Sequence, residues 1–571
     1  MPLLKPIFAI SEICSQKNIQ DAILCPGSRS AALSLAFTRN PAIRTQVLSD
    51  ERSAAFVGLG KALQTGRTVA LVCTSGSAAY NFAPAIAEAF FQEIPLIVFT
   101  ADRPPEWIHQ YDGQTIFQRE IYGKHVKKSY ELPVDYTHLD ALWQIERIIN
   151  EALSLTQEEP KGPVHVNIPI REPFYPNAEE NYDFTGTVRS VNFMPSTKIL
   201  NIDSWEQILA IWEKSERKMI AIGQNQFALN DVLENFAKEQ RTVILADIIS
   251  NIQLKTKESI KSHDIFISKI TEENYFPELL ITTGKSFISK SFKQFIRAHQ
   301  PKYHFHIQEN GDFIDPFQSI THKINISPTY FFNELFEVLD LRKFKNGEDD
   351  DQEESFLNDW NQLEHQAIKY LDNFLNTNEF GELKATSMLL EACPTSSILH
   401  LGNSMPVRYA NLLSSCVKNE IQVFANRGTS GIDGILSTAI GQALSTDKIV
   451  TCLIGDVSFF YDRNAFWSQN LPNNLRIVLI NNAGGNIFRL IDGPNQQPEL
   501  ESNFVGTQNL NAKTICEEHS IFYFPVKSYK EMEMGLANLY KANDKISLVE
   551  VFVDGKKDAE LFKQFKNGFL N

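Results

Sequence analysis

The segment Ile449-Val450-Thr451-Cys452-Leu453-Ile454-Gly455-Asp456-Val457-Ser458 and the later Leu475-Arg476-Ile477-Val478-Leu479-Ile480-Asn481-Asn482-Ala483-Gly484-Gly485 decide the fold. Two short apolar runs about 26 residues apart, with a helix-compatible stretch between them, read as one βαβ unit. Parallel strands in such a unit end side by side, and ligands bind at their carboxyl ends. Asp456 and Asn482 therefore fall close together. With a free backbone carbonyl, taken at Gly484, they offer only oxygen donors. That set suits a hard cation, Mg²⁺ or Mn²⁺, bridging to a diphosphate. The Gly484-Gly485 pair lets the backbone approach a ligand closely.

Outward from this unit the chain repeats the same alternation. Strand-like runs at 21–25, 69–73, 94–100 and 164–168 are separated by apolar-periodic stretches, so residues 1–180 read as one α/β domain. Residues 175–196 are polar and unpatterned and read as a connection. A second α/β domain is expected over 195–342, with strands at 218–223, 242–246, 279–283 and 303–307. The stretch 343–355 (KFKNGEDDDQEES) is acidic and without periodicity, so 343–378 is read as a linker. Residues 379–571 form a third domain with strands at 398–402, 423–425, 449–454, 475–480 and 548–553. No short repeat occurs, which excludes solenoids and propellers. The fold class is α/β: three consecutive domains with parallel sheets.

Composition narrows the function. A length of 571 residues supplies several large cores, and 43% hydrophobic with 22% charged residues is ordinary for a globular protein. No apolar run approaches the roughly 18 residues of a membrane span, and no signal-peptide pattern opens the chain. Seven cysteines without a C-x-x-C pair argue against a disulfide framework or a zinc site, so a reducing cytoplasm is expected. A net charge of −15 disfavours nucleic acid and anionic membrane as partners. Anionic substrates would require a local concentration of cations.

Further motifs fall at strand ends and helix starts. Cys25-Pro26-Gly27-Ser28-Arg29-Ser30 follows the first strand, and Ser49-Asp50-Glu51-Arg52-Ser53 opens a helical pattern. Thr74-Ser75-Gly76-Ser77 sits between strand and helix, where backbone N–H groups favour anions. Thr100-Ala101-Asp102-Arg103-Pro104-Pro105-Glu106, Asn403-Ser404-Met405-Pro406-Val407-Arg408 and Asn426-Arg427-Gly428-Thr429-Ser430-Gly431-Ile432-Asp433-Gly434 follow strands. With Gly455-Asp456 and the Asn-Asn run that continues to Ile487-Phe488, these resemble, in order and register, a family of thiamine diphosphate enzymes. That family is the 2-succinyl-5-enolpyruvyl-6-hydroxy-3-cyclohexene-1-carboxylate synthases of menaquinone biosynthesis. One departure is Val457, where many thiamine diphosphate enzymes have glycine.

The resemblance implies a pyrimidine-binding domain, a central domain and a diphosphate-binding domain. It also implies a cofactor lying between the first domain of one subunit and the third of another. A homodimer is then the minimal active unit, and dimers can pair into a tetramer. Glu51 matches the catalytic glutamate that hydrogen-bonds the cofactor's pyrimidine N1′, a role that needs an environmentally tuned carboxyl group. Elsewhere a glutamate at that position simply complements a helix dipole. Ile432 matches the apolar residue that props the cofactor bent, a proximity effect. Ser430, Gly431, Gly455, Asp456, Val457, Ser458 and Asn482 would complete the cofactor site, with Asp456, Asn482 and Gly484 on the metal.

Substrates follow from the same resemblance: 2-oxoglutarate, decarboxylated, and isochorismate, which accepts the succinyl-carbanion equivalent by conjugate addition. Ser404, Arg408 and Arg427 would hold the first. Ser28, Arg29, Arg103, Gln114 and Lys290 would hold the second, with Ile487 and Phe488 as an apolar wall. Arginine suits carboxylates because its fork binds them bidentately. At Lys290 the family tends to show two adjacent basic residues, whereas this chain has Lys290-Ser291. An acetolactate synthase-type enzyme would share Glu51 and the metal motif but needs no such arginine set. A non-catalytic cofactor-binding protein would be expected to lose Glu51 or Asp456.

Overall fold

The computed structural model of the protein describes residues 4–569, except 178–179, 181–183, 185–187, 195, 256–258, 347–354, 378, 419 and 542–543. Among the described residues eighteen strands form three six-stranded sheets, and every strand pair is parallel. The first sheet holds β1 (Asp21–Leu24), β2 (Arg44–Val47), β3 (Val69–Cys73), β4 (Leu96–Asp102), β5 (Ser129–Glu131) and β6 (Val164–Pro169), ordered β2-β1-β3-β4-β6-β5. The second holds β7 (Lys218–Ile222), β8 (Val243–Ala246), β9 (Ser259–Ile260), β10 (Leu279–Thr283), β11 (Tyr303–Ile307) and β12 (His322–Ile324), ordered β12-β11-β10-β7-β8-β9. The third holds β13 (Ile398–Leu401), β14 (Gln422–Ala425), β15 (Val450–Gly455), β16 (Leu475–Asn481), β17 (Phe522–Val526) and β18 (Ser547–Phe552). Its order, β14-β13-β15-β16-β18-β17, repeats that of the first sheet.

Strands β1, β3, β4, β6, β15 and β16 are buried almost throughout, because helices cover both faces of a parallel sheet. The third domain is the hub. Helix Glu51–Thr65 of the first domain lies against helix Ile435–Ala443 of the third, and their backbones touch. A Cβ on Gly60 would meet the Thr438 carbonyl oxygen at 2.1 Å, and one on Gly441 would meet that of Val57 at 2.1 Å. Glycine is required on both sides of this seam. A second core joins the central and third domains through Phe292, Trp360, Leu389 and Tyr409.

The segment expected as a linker, 343–378, is helical over much of its length. Helix Pro328–Asn346 enters it, 347–354 lie outside the described residues, and helix Ser355–Thr377 fills most of the rest. Leu363, Ala367, Leu371 and Leu375 recur at helical spacing on that second helix and are buried with Trp360. The neighbouring charge run masked this periodicity. The connection read at 175–196 lies partly outside the described residues; those described contain no helix or strand.

Candidate active site

Register converts sequence spacing into adjacency at the third sheet. Gly455 pairs with Ile480, so the residues just beyond, Asp456 and Asn481-Asn482, emerge together at the carboxyl ends of β15 and β16. Asp456 is buried; Oδ1 accepts from the Val457 N–H at 2.8 Å and Oδ2 from Gln508 Nε2 at 2.8 Å. Asn482 Oδ1 accepts from the Gly484 N–H at 3.1 Å, and its Nδ2 donates to Glu382 Oε1 at 2.8 Å. Gly484 has φ 150°, and a Cβ there would meet the Val505 carbonyl oxygen at 2.6 Å, so no larger residue fits the loop.

These residues line a cleft of about 430 Å³ together with Ser404, Arg408, Arg427, Ser430, Ile432, Gly455, Val457, Ser458, Ile487 and Phe488. Asn403 staples two of its loops: Nδ2 donates to the carbonyls of Asn426 and Gly431, each at 2.7 Å, and Oδ1 accepts from Arg427 at 3.0 Å. Burial lowers the pKa of Arg427, and the adjacent Arg408 guanidinium lowers it further. Burial also lowers that of Arg408. Two cations side by side on a cleft wall, Arg427 half-buried and Arg408 open to the cleft, favour an anion between them. Ile432 is 39% exposed into this space, unusual for a large apolar side chain on a loop otherwise pinned by hydrogen bonds.

A second group assembles at the carboxyl end of the first sheet. Arg29, after β1, is buried, donates to the Ile170 carbonyl at 3.0 Å and lies 4.3 Å from the Phe174 ring centroid. Burial lowers its pKa, and the charge of Arg103 adds to the effect. Arg103, after β4, donates to the Gly113 carbonyl at 2.7 and 3.0 Å and pairs with Asp112. Gln114 follows at φ 57°, its backbone against Gly76. Thr74 Oγ1 is buried without a partner beside Gly27, where a Cβ would strike the Thr74 side chain. Glu51 is half-buried, with Asn81 Nδ2 at 3.5 Å. Among the described residues no first-domain side chain, Glu51 included, lines the third-domain cleft of the same chain.

A thiamine pyrophosphate enzyme N-terminal TPP binding domain matches residues 7–126. The chain is 40% identical over 568 residues to the 2-succinyl-5-enolpyruvyl-6-hydroxy-3-cyclohexene-1-carboxylate synthase of Cytophaga hutchinsonii, covering 99% of this chain and 98% of that protein. It is 36% identical to the synthase of the same name from Flavobacterium johnsoniae (98% and 97% covered) and 35% identical to that from Bacteroides thetaiotaomicron (98% and 98%). The chain belongs to the 2-succinyl-5-enolpyruvyl-6-hydroxy-3-cyclohexene-1-carboxylate synthase family. It is an enzyme of the thiamine diphosphate-dependent class.

Within this synthase the donor chemistry fits a cation that carries a diphosphate. Burial pushes the Asp456 carboxyl up to about 6, and among the described residues it forms no ion pair. A divalent ion facing it would offset that desolvation. Among the described residues no group of three or more His, Cys, Asp or Glu could hold a metal; Asp456, Asn482 Oδ1 and the Gly484 carbonyl are the oxygen donors grouped at these strand ends. Gly431 does not line the cleft; its carbonyl is taken by Asn403. Lys290 is the exposed first residue of helix Lys290–Ala298 and does not line the cleft either. One turn on, Lys293 is half-buried; burial lowers its pKa first, and Asp247 and Arg427 act on it next. Sequence reading passed over Lys293 and Gln508, which lie outside the strand-end motifs, and gave Asn403 no role although it opens one of them. It also passed over Glu382, a buried carboxylate that accepts from both Asn482 and Asn486 at 2.8 Å.

Proposed function

We propose that this family member decarboxylates 2-oxoglutarate and adds the resulting succinyl unit to isochorismate, giving 2-succinyl-5-enolpyruvyl-6-hydroxy-3-cyclohexene-1-carboxylate for menaquinone biosynthesis. The observation that carries the reading is the pair of arginine pairs. Arg408 and Arg427 line the cleft beside the metal donors, and Arg29 and Arg103 stand together on the first domain. An acidic protein concentrates cations in this way for a multiply charged substrate, and a 2-oxoacid with one departing carboxylate needs none of it.

Thiamine diphosphate, held through Mg²⁺ or Mn²⁺ by Asp456, Asn482 and the Gly484 carbonyl, supplies the electron sink when bound. The protein's own groups do the rest. Ile432 is placed to prop the bound group, and Ile487 and Phe488 keep water from the reacting face. Arg408, Arg427 and Ser404 hold the distal carboxylate of 2-oxoglutarate, while Ser28, Arg29, Arg103 and Gln114 hold isochorismate. Glu51 would hydrogen-bond the pyrimidine nitrogen of the bound cofactor and exchange a proton with it. Because Glu51 stands apart from the cleft of its own chain, we assign it to the cleft of a partner subunit in a homodimer. The free state of all seven cysteines, six of them buried, suits a cytoplasmic enzyme.

Separating the two arginine pairs tests this reading. Losing one charge-assisted contact costs about 1.5–3 kcal/mol, roughly 10- to 150-fold in an equilibrium constant. Arg408→Ala should lower kcat/KM for 2-oxoglutarate by that factor. Arg29→Ala should weaken use of isochorismate and leave CO₂ release from 2-oxoglutarate near normal when isochorismate is omitted and the product trapped. Preference of the wild-type enzyme for pyruvate would transfer it to the acetolactate synthase type.

A further inference from the structure

We infer that Glu88, on the first domain, is a positioning residue for the 2-oxoacid side of the active site, fixing the third-domain loop that carries Arg427, Ser430 and Ile432. Glu88 lies on helix Ala83–Gln92, in none of the motifs that mark the site, and is 1% exposed. Both carboxylate oxygens are committed to the loop. Oε1 accepts from the Gly428 N–H at 2.8 Å, and Oε2 from the Thr429 N–H at 2.7 Å and the Thr429 hydroxyl at 2.6 Å. The helix and loop touch: a Cβ on Gly428 would lie 2.5 Å from the Glu88 carbonyl oxygen, so glycine alone admits the approach.

A buried carboxylate spent on backbone N–H groups of another domain does more than fill space. Desolvating it is costly unless every lone pair is used, and here the three donors from the loop and one from Gln92 use them. Its negative charge also reaches Arg427, favouring the cationic form of that residue. The central domain joins at the same point. Gln92 Oε1 accepts from Gln224 Nε2 at 2.9 Å, and Gln224, just after β7, also reaches the Ala425 carbonyl at 3.4 Å, one residue before Asn426. All three domains thus meet on the loop whose first arginine faces the cleft.

The inference rests on the proposed function for the identity of the substrate and on geometry alone for the clamp. The test uses the full-length enzyme carrying Glu88→Gln, which keeps size but turns a donor toward the loop N–H groups. KM for 2-oxoglutarate should rise about 10- to 150-fold, the range of a lost charge-assisted bond, with KM for isochorismate unchanged. Deuterium exchange at the Gly428 and Thr429 amides should quicken by about tenfold or more, reporting local opening. Gly428→Ala, which pushes the loop off the helix with Glu88 intact, should reproduce both signatures, and serves alone where Glu88→Gln does not fold. A lowered Tm with both KM values and loop exchange unchanged in the two variants would overturn the clamp. Failure of the wild-type enzyme to use 2-oxoglutarate would overturn only the substrate reading, since the exchange measurement is independent of it.

Discussion

Glu51 opens its helix at a position where a carboxylate usually complements the dipole, yet that task is already done. The side chain of the preceding Asp50 accepts from the N–H groups of Arg52 at 2.9 Å and Ser53 at 3.2 Å. The Glu51 carboxyl is therefore free for chemistry. Glu51→Gln should cut turnover by at least the roughly 10²-fold that an acid–base group contributes, with thiamine diphosphate still bound by calorimetry; more than a tenth of wild-type rate would refute the role. Asp462 is a contrasting buried acid. It accepts from the Ser437 N–H at 2.7 Å and hydroxyl at 2.8 Å, and burial pushes its pKa up to about 7. A carboxyl raised above its unfolded value near 4 stabilises the fold below that value, and the contribution is lost as pH rises toward 7. Asp462→Asn keeps an acceptor for Ser437 and removes the charge. The Tm of the cofactor-free variant should gain on wild type between pH 5 and pH 8, and a constant difference across that range would show that Asp462 does not titrate there.

At the level of elements, helix Ser355–Thr377 shows how a local charge run can hide a core helix. Trp360 is fully buried and meets the rings of Phe266, Tyr275, Phe295 and Phe356 edge-on, at centroid distances of 5.9 to 6.4 Å. These rings come from the central domain and from the helix itself, so the helix belongs to the packed interior. Trp360→Ala should cost about 3–5 kcal/mol, the usual range for a buried large aromatic, read as a lowered denaturation midpoint; a loss below about 1 kcal/mol would mean the helix is a mere connection. The strands divide along a similar line. Those that periodicity and apolar runs revealed include every interior strand. The five that escaped, β2, β5, β9, β12 and β17, all lie at sheet edges. An edge strand is partly solvated and short, so β2 (RTQV) and β12 (HKI) carry little apolar signal.

For the molecule as a whole, the matching strand orders of the first and third sheets matter more than their separate cores. Each gathers polar residues at its strand ends, one Arg29, Arg103 and Glu51, the other Asp456 and Asn482 with Arg408 and Arg427, the two halves of the proposed site. Within one chain they are joined along the Gly60–Gly441 seam, and the cleft draws no first-domain side chain among the described residues. Completing it from a second copy makes a direct prediction for mixtures. Glu51→Gln and Asp456→Ala, each inactive, should regain activity when unfolded and refolded together, because a mixed dimer then holds one intact site. Random pairing in a twofold assembly limits recovery to about a quarter of wild type. No recovery in material that does form mixed dimers would place both halves of the site in one chain.

Sequence alone determined the α/β class, the interior strands of each sheet and the approach of Asp456 to Asn482. Each follows from rules of short range: burial on both faces writes an apolar run, and parallel register carries a fixed spacing to a fixed neighbour. It also marked the arginines, because a strand end is recognisable wherever the run stops. Only the tertiary structure decided which strand ends share a cleft, that Asn403 ties down the Arg427 loop and Glu382 holds Asn482, and that Glu88 reaches from another domain to the loop of Arg427. These contacts join residues as far as about 340 positions apart. No periodicity records such a pairing, because a buried carboxylate is stabilised by the donors that folding brings to it and not by its neighbours in the chain.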